Sequence, residues 1–148
     1  MPFSTSPTNE DYRRLLELRT GLRRFLRWSE QQAQAAGITP AQHQLLLAIR
    51  GHGDPRGPTV GDAAHHLLLR HNSAVGLIDR AQDAGLITRN PDPDNPSAVR
   101  LRLTERGARQ LEALSELHLE ELSHLAPTMH ALWDALEDHP AHPAARVA

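Results

Sequence analysis

The sequence contains no cysteine. That excludes a disulfide scaffold, a thiolate metal site and a cysteine redox switch, and it suits a reducing cytoplasm. There is no lysine either, so all 16 basic residues are arginine. Codon bias is the plain reason, since Ala, Leu and Pro are also abundant, but the planar arginine fork suits phosphate and guanine edges. No apolar run approaches the roughly 20 residues that span a bilayer, so no membrane partner is expected. The phosphate-binding glycine loop, the nucleophile elbow and the metal-hydrolase helix motif are all missing, which argues against an enzyme. No metal or cofactor is expected. His65 and His66 are adjacent and diverge on a helix, His118 and His124 lack the three- or four-residue spacing of ligands on one face, and His139 and His142 sit in a tail.

What is present fits one domain. A chain of 148 residues buries a real core without staples. The net charge of −2 argues only weakly against nucleic acid, because a single face has to meet DNA. Residues 1–10 are Ser/Thr/Pro-rich without a signal-peptide core and read as a disordered tail.

Helical periodicity runs from Asp11 to about Ala36, with Leu15, Leu18, Leu22 and Phe25 on one stripe and Gly37 as the stop. Thr39, Pro40 and Gln42 form a capping box that opens a second helix carrying Leu45, Leu46 and Ile49. Thr59 and Asp62 open a third, with Ala63, Ala64 and Leu67 inward. After a break near Leu69–Arg70, a fourth runs from about Asn72 to Ala84, with Ala74, Leu77, Ile78 and Ala81 inward. The period then changes. Leu86–Arg89 and Val99–Leu103 read as strands of one hairpin, joined by the Pro/Asn/Asp-rich turn Asn90–Ser97. Thr104 caps a last helical stretch. Pro127 is expected to divide it into one helix to about His124 and another from Pro127 to about Asp138. Residues 139–148 read as a flexible tail.

Helix, break, helix and polar-tipped hairpin make a winged helix-turn-helix over about 39–104. The expected fold is mainly α with a small β-hairpin wing. The flanking helices, about 11–36 and 104–138, carry longer apolar stripes than a small core can cover, which favours a two-fold dimer through the N- and C-terminal helices. Helix-turn-helix units lay their second helix in the major groove. Its start offers Arg70, His71, Asn72 and Ser73, with Val75 one turn on, for bases and phosphates; the competing reading is an ordinary capped helix start. Arg89 and Arg100, at the base of the hairpin, are expected to supply sequence-independent contacts. Arg80 reads first as part of a structural Asp79-Arg80 pair tying helix to wing, with Asp92 or Asp94 as partners, and second as a phosphate contact.

An ordered series of segments resembles the MarR family of winged-helix regulators. It comprises Ile38-Thr39-Pro40-Ala41-Gln42, then Thr59 to Ala64, Asn72 to Arg80, Ala84 to Arg89, Asp92-Pro93-Asp94, and Val99 to Gly107 with its Leu-Thr-Glu-Arg-Gly close. The resemblance covers about Asp11 to Asp138, a single domain. It implies a homodimer with interleaved termini and double-stranded DNA with a pseudo-palindromic operator as partner. It also implies a cytoplasmic repressor released by a small aromatic or anionic effector. The effector site would be a crevice between the dimer helices and the DNA-binding lobe, with Arg24, Trp28 and His43 as lining candidates.

The chain departs from the family pattern twice. Asn95-Pro96-Ser97 stands where the wing tip usually carries Asp-Arg-Arg, and Gly76 where a long polar side chain is common. These departures motivate the alternative, a winged-helix protein-interaction module that has lost specific DNA binding.

Overall fold

The computed structural model describes residues 6–138. In chain order the elements are α1 (Asn9–Ala35), α2 (Pro40–Gly51), α3 (Val60–Leu67), α4 (His71–Asp83), β1 (Ile87–Pro91), β2 (Val99–Leu103) and α5 (Glu105–Glu137). They fall into two compact units, residues 29–117 on one hand and the described parts of 1–28 and 118–148 on the other.

Residues 29–117 hold the winged helix. Both capping boxes form. The Thr39 hydroxyl accepts from the Gln42 N–H at 3.1 Å while the Gln42 side chain accepts from the Thr39 N–H at 3.0 Å, and Thr59 and Asp62 repeat the exchange at 3.1 and 3.0 Å. Each box satisfies two amides that a helix start leaves open. The inward faces read from periodicity are the core: Leu45, Leu46 and Ile49 of α2, Ala63 of α3, and Leu77, Ile78 and Ala81 of α4 pack with Leu86, Ile87, Leu101, Leu111 and Leu114. Burying one such leucine or isoleucine stabilises by about 1.5–3 kcal/mol. Gly107 makes the closest approach here, since a Cβ at this position would lie 2.0 Å from the Leu86 carbonyl oxygen. The first turn of α5 can therefore sit directly on the backbone that leaves α4.

β1 and β2 pair antiparallel, Ile87 opposite Leu103 and Pro91 opposite Val99. The first strand thus starts one residue later and ends two residues later than its alternation suggested. Leu86 is wholly buried ahead of it.

The α2–α3 loop anchors the hairpin. The Leu101 N–H donates to the Pro58 carbonyl at 2.9 Å, and Gly57, at φ +88°, would bring any Cβ to 2.2 Å from the Leu101 carbonyl. Only glycine suits that backbone and that gap. Charge reinforces the joint. Arg100 Nε donates to Asp92 at 2.8 Å and its Nη1 to the Gly57 carbonyl at 3.0 Å. Arg56 reaches Asp54, Asp92 and Asp94.

The Asp92 carboxyl is held below the usual carboxylate range, first by the Asp94 backbone N–H and then by the Arg100 side chain. Asp54 is likewise lowered, chiefly by its hydrogen bond from Arg56.

In the second unit, α1 starts at Asn9, two residues ahead of the expected start and inside the stretch 1–10 that read as a tail. Thr8 and Asp11 form a further capping pair, with Asp11 accepting from the Thr8 N–H at 2.8 Å. The expected division of the last helix does not occur, and α5 runs unbroken through Pro127. Proline costs the hydrogen bond to the Ser123 carbonyl and crowds that carbonyl, a penalty on the order of 3 kcal/mol in a helix interior. Both Pro127 and Ser123 are exposed, so water can take that carbonyl. Leu125, Met129 and Leu132 meanwhile keep one face toward Gly21, Phe25 and Leu16 of α1. Residues 1–5 and the expected tail 139–148 lie outside the described residues.

The lowered Asp92 and Asp54 carboxyls give the wing joint a defined acid sensitivity. A carboxylate whose folded pKa is depressed contributes stability above its unfolded value, near pH 4, and that contribution is lost as pH falls toward the folded value. Urea unfolding of the wild type and Asp92→Asn between about pH 6 and pH 3 should show the variant less stable at pH 6, with the two curves converging toward pH 3. Curves parallel throughout would contradict this role for Asp92.

Candidate nucleic-acid interface

α3 and α4 form the helix-turn-helix. The turn runs through Leu68, the one non-glycine residue with positive φ (55°) among the described residues, where its N–H satisfies carbonyls at the end of α3. Arg70, in extended conformation, then starts α4. Unlike α2 and α3, α4 receives no side-chain cap. The competing reading of Arg70–Ser73 as capping residues therefore does not hold. The first-turn amides of α4 point out of the helix without an intrachain side-chain acceptor, as at an anion-binding helix start.

Arg70, His71, Asn72 and Ser73 are all exposed, and Val75 is half-buried behind them. None of these side chains is drawn into a hydrogen bond or ion pair among the described residues. The structure thus brings the five helix candidates together on one corner. α4 needs no polar help to stay folded, because Ala74, Leu77, Ile78 and Ala81 bury its opposite face.

The hairpin arginines have a different position. Arg100 is 13 % exposed at its side chain and bonded to Asp92. Arg89 binds Asp79 and Gln82 of α4. A tie between helix and wing does exist, as the Asp79-Arg80 pattern suggested, but Asp79 makes it with Arg89. Asp92 and Asp94 take Arg100 and Arg56 instead of Arg80. Arg56, which periodicity and motif reading both passed over, also links loop and wing. Its only sequence signal was its place between Asp54 and Gly57. The wing tip is neutral to acidic, with Asp94 80 % exposed and Asn95 engaged by the Ser97 hydroxyl at 2.7 Å.

The three effector candidates are separated by unit. Trp28 stacks with Phe25 and lies edge-on to His118 at 4.8 Å between ring centroids. Arg24 lines a groove of about 560 Å³ with Leu16, Thr20, Glu121 and Leu125. Both belong to the unit holding the N-terminal part of α1. His43 belongs to the winged-helix unit, where it is 3 % exposed on α2. Among the described residues no group of three or more His, Asp or Glu is placed to hold a metal.

One histidine contact was not legible in the sequence. His52, the C-cap of α2, meets His66 of α3 at 3.0 Å and Asp62 at 3.6 Å. Asp62 is itself lowered by the Thr59 backbone N–H.

Among the described residues no helix is long and apolar enough to cross a membrane. No curated protein matches the sequence. The fold is that of several solved structures. A MarR family transcription regulator, SP03579, superposes with a TM-score of 0.72 at 22 % identity, covering 87 % of this chain and 89 % of its own. MepR of S. aureus in complex with DNA gives 0.65 at 20 % identity, covering 83 % and 85 %. The transcriptional repressor CouR, bound to a 23-mer DNA duplex, gives 0.65 at 23 % identity, covering 82 % and 87 %. The sequence profile of the MarR family matches residues 36–95, which hold α2, α3, α4 and the first strand of the wing. Residues 36–95 thus match the MarR family profile, and the chain has the winged helix-turn-helix fold of MarR family transcription regulators.

Proposed function

We propose that the protein is a sequence-specific DNA-binding repressor that acts as a homodimer and is released by a small aromatic or anionic effector. The observation that carries the DNA reading is the start of α4, an uncapped helix N-terminus beside four exposed, unengaged polar side chains. Open amides and the helix dipole attract a phosphate, while Asn72 and His71 can address base edges. That similar folds occur in complex with DNA duplexes supports the same reading.

The dimer reading rests on α1 and α5. Tyr12, Leu15, Leu16, Leu22, Leu26, Leu119, Leu122 and Trp133 are exposed large hydrophobics on these two helices. Covering a half-exposed leucine is worth on the order of 1 kcal/mol. Summed over both copies, this is comparable with the roughly 4–15 kcal/mol that association costs. Two copies would present two α4 helices to an operator with matching two-fold symmetry. The aromatic cluster at Trp28 and the Arg24 groove suit an aromatic or anionic effector. To release DNA, the effector must bind the DNA-incompetent arrangement more tightly than the competent one.

The second reading, a protein-interaction module, is favoured by the acidic wing tip and its carboxylate-bound arginines. The two readings separate in a gel shift against the DNA upstream of the protein's own gene. A shift that weakens by about 10-fold or more in Asn72→Ala, and only on the preferred sequence, is expected. No shift at low salt with folded dimer would overturn the repressor reading. Sedimentation of the wild type should give a dimer, and Leu22→Arg a folded monomer of reduced DNA affinity. A monomeric wild type at micromolar concentration would contradict the dimer.

A further inference from the structure

Asn72, Gly76 and Arg80 follow one another at four-residue steps and share one stripe of α4. Gly76 lies inside the helix without positive φ, so its backbone freedom is not used there. It costs the helix stability relative to alanine, and what it provides instead is room. A Cβ at 76 would stand 3.3 Å from Arg80 Nη1. The guanidinium therefore lies back over the bare turn at Gly76, leaning toward the start of α4 as long helical side chains do.

Arg80, like Arg70, differs from the three arginines that tie loop, helix and wing. Arg56, Arg89 and Arg100 are each bound by a carboxylate. Asp79, the neighbour of Arg80, is taken by Arg89. Arg80 is exposed, and among the described residues no carboxylate or side-chain hydrogen bond holds it.

We propose that Arg80, seated over Gly76, is a specificity-determining residue that reads a guanine in the major groove. This rests on α4 being the recognition helix. The geometry favours a base over a phosphate. The guanidinium lies over Gly76, one turn from the exposed Asn72, at a position with no side chain of its own to hold a groove floor away. A guanidinium there offers two parallel N–H groups to guanine O6 and N7. Phosphate contacts carry no such preference.

The test is selection of binding sites from a random duplex library by full-length wild type, Arg80→Ala and Arg80→Lys, with folding checked by thermal melting. Lysine keeps the charge and lacks the fork. The wild type should select a fixed guanine in each half-site, and both variants should lose it. Affinity for the selected site should fall about 10- to 100-fold, while binding of unrelated DNA by Arg80→Lys stays unchanged. Loss that is equal on all sequences, with a shallower salt slope in Arg80→Ala and rescue by lysine, marks a phosphate contact and overturns the assignment. Selection of an unchanged sequence by both variants overturns it too, leaving α4 as the recognition helix. A wild type that selects no sequence overturns the recognition reading and this assignment together.

Discussion

The ion pair between Asp92 and Arg100 closes the hairpin on itself and fixes the guanidinium that ties it to the rest of the winged helix, through the Gly57 carbonyl. Its two side chains are 3 % and 13 % exposed and 2.8 Å apart. Removing such a pair from water is costly, and it holds only where further hydrogen bonds satisfy both partners. Here the Asp94 N–H donates to the Asp92 carboxylate at 2.9 Å, and the Gly57 carbonyl accepts from Arg100. Gly57 can approach β2 because it has no Cβ, so this turn residue, the Arg100 bond to its carbonyl and the Arg56 contacts with Asp92 and Asp94 fix the wing on the α2–α3 loop.

That joint determines where positive charge is left over. Arg100, Arg56 and Arg89 neutralise carboxylates of the same unit. Among the described residues, Arg80 of α4 and Arg70 at its start are left without a side-chain hydrogen bond or an ion pair, as are Arg50 of α2 and Arg102 of β2. The three helices of the motif also differ at their N-termini. α2 and α3 close theirs with capping boxes, whereas α4 leaves its own open and relies on the burial of Ala74, Leu77, Ile78 and Ala81. A recognition helix held by its apolar face can keep its polar start for a partner.

Much of this was legible in the sequence. Thr39 with Gln42 and Thr59 with Asp62 marked two helix starts, and the switch from helical period to the alternation of Val99, Leu101 and Leu103 marked the wing. These signals are local, and local chemistry is sufficient to make them. The continuous α5 was not legible, because the effect of Pro127 depends on whether the Ser123 carbonyl faces water, which only the fold decides. Nor could spacing reveal that Arg89 and Arg100 are bound to Asp79 and Asp92, since those pairs cross between elements. The Arg70–Ser73 corner was found from its place in the motif. Its missing cap, and the guanidinium of Arg80 over Gly76, required coordinates.

The central claim is that contact with DNA is led by the start of α4, with the wing tip in a lesser role. Amide chemical shifts of the full chain, followed as an operator-length duplex is added, test it directly. The account predicts the largest changes at His71, Asn72 and Ser73, with Asp94, Asn95 and Ser97 little affected. Changes concentrated at the wing tip with the start of α4 unmoved would contradict it.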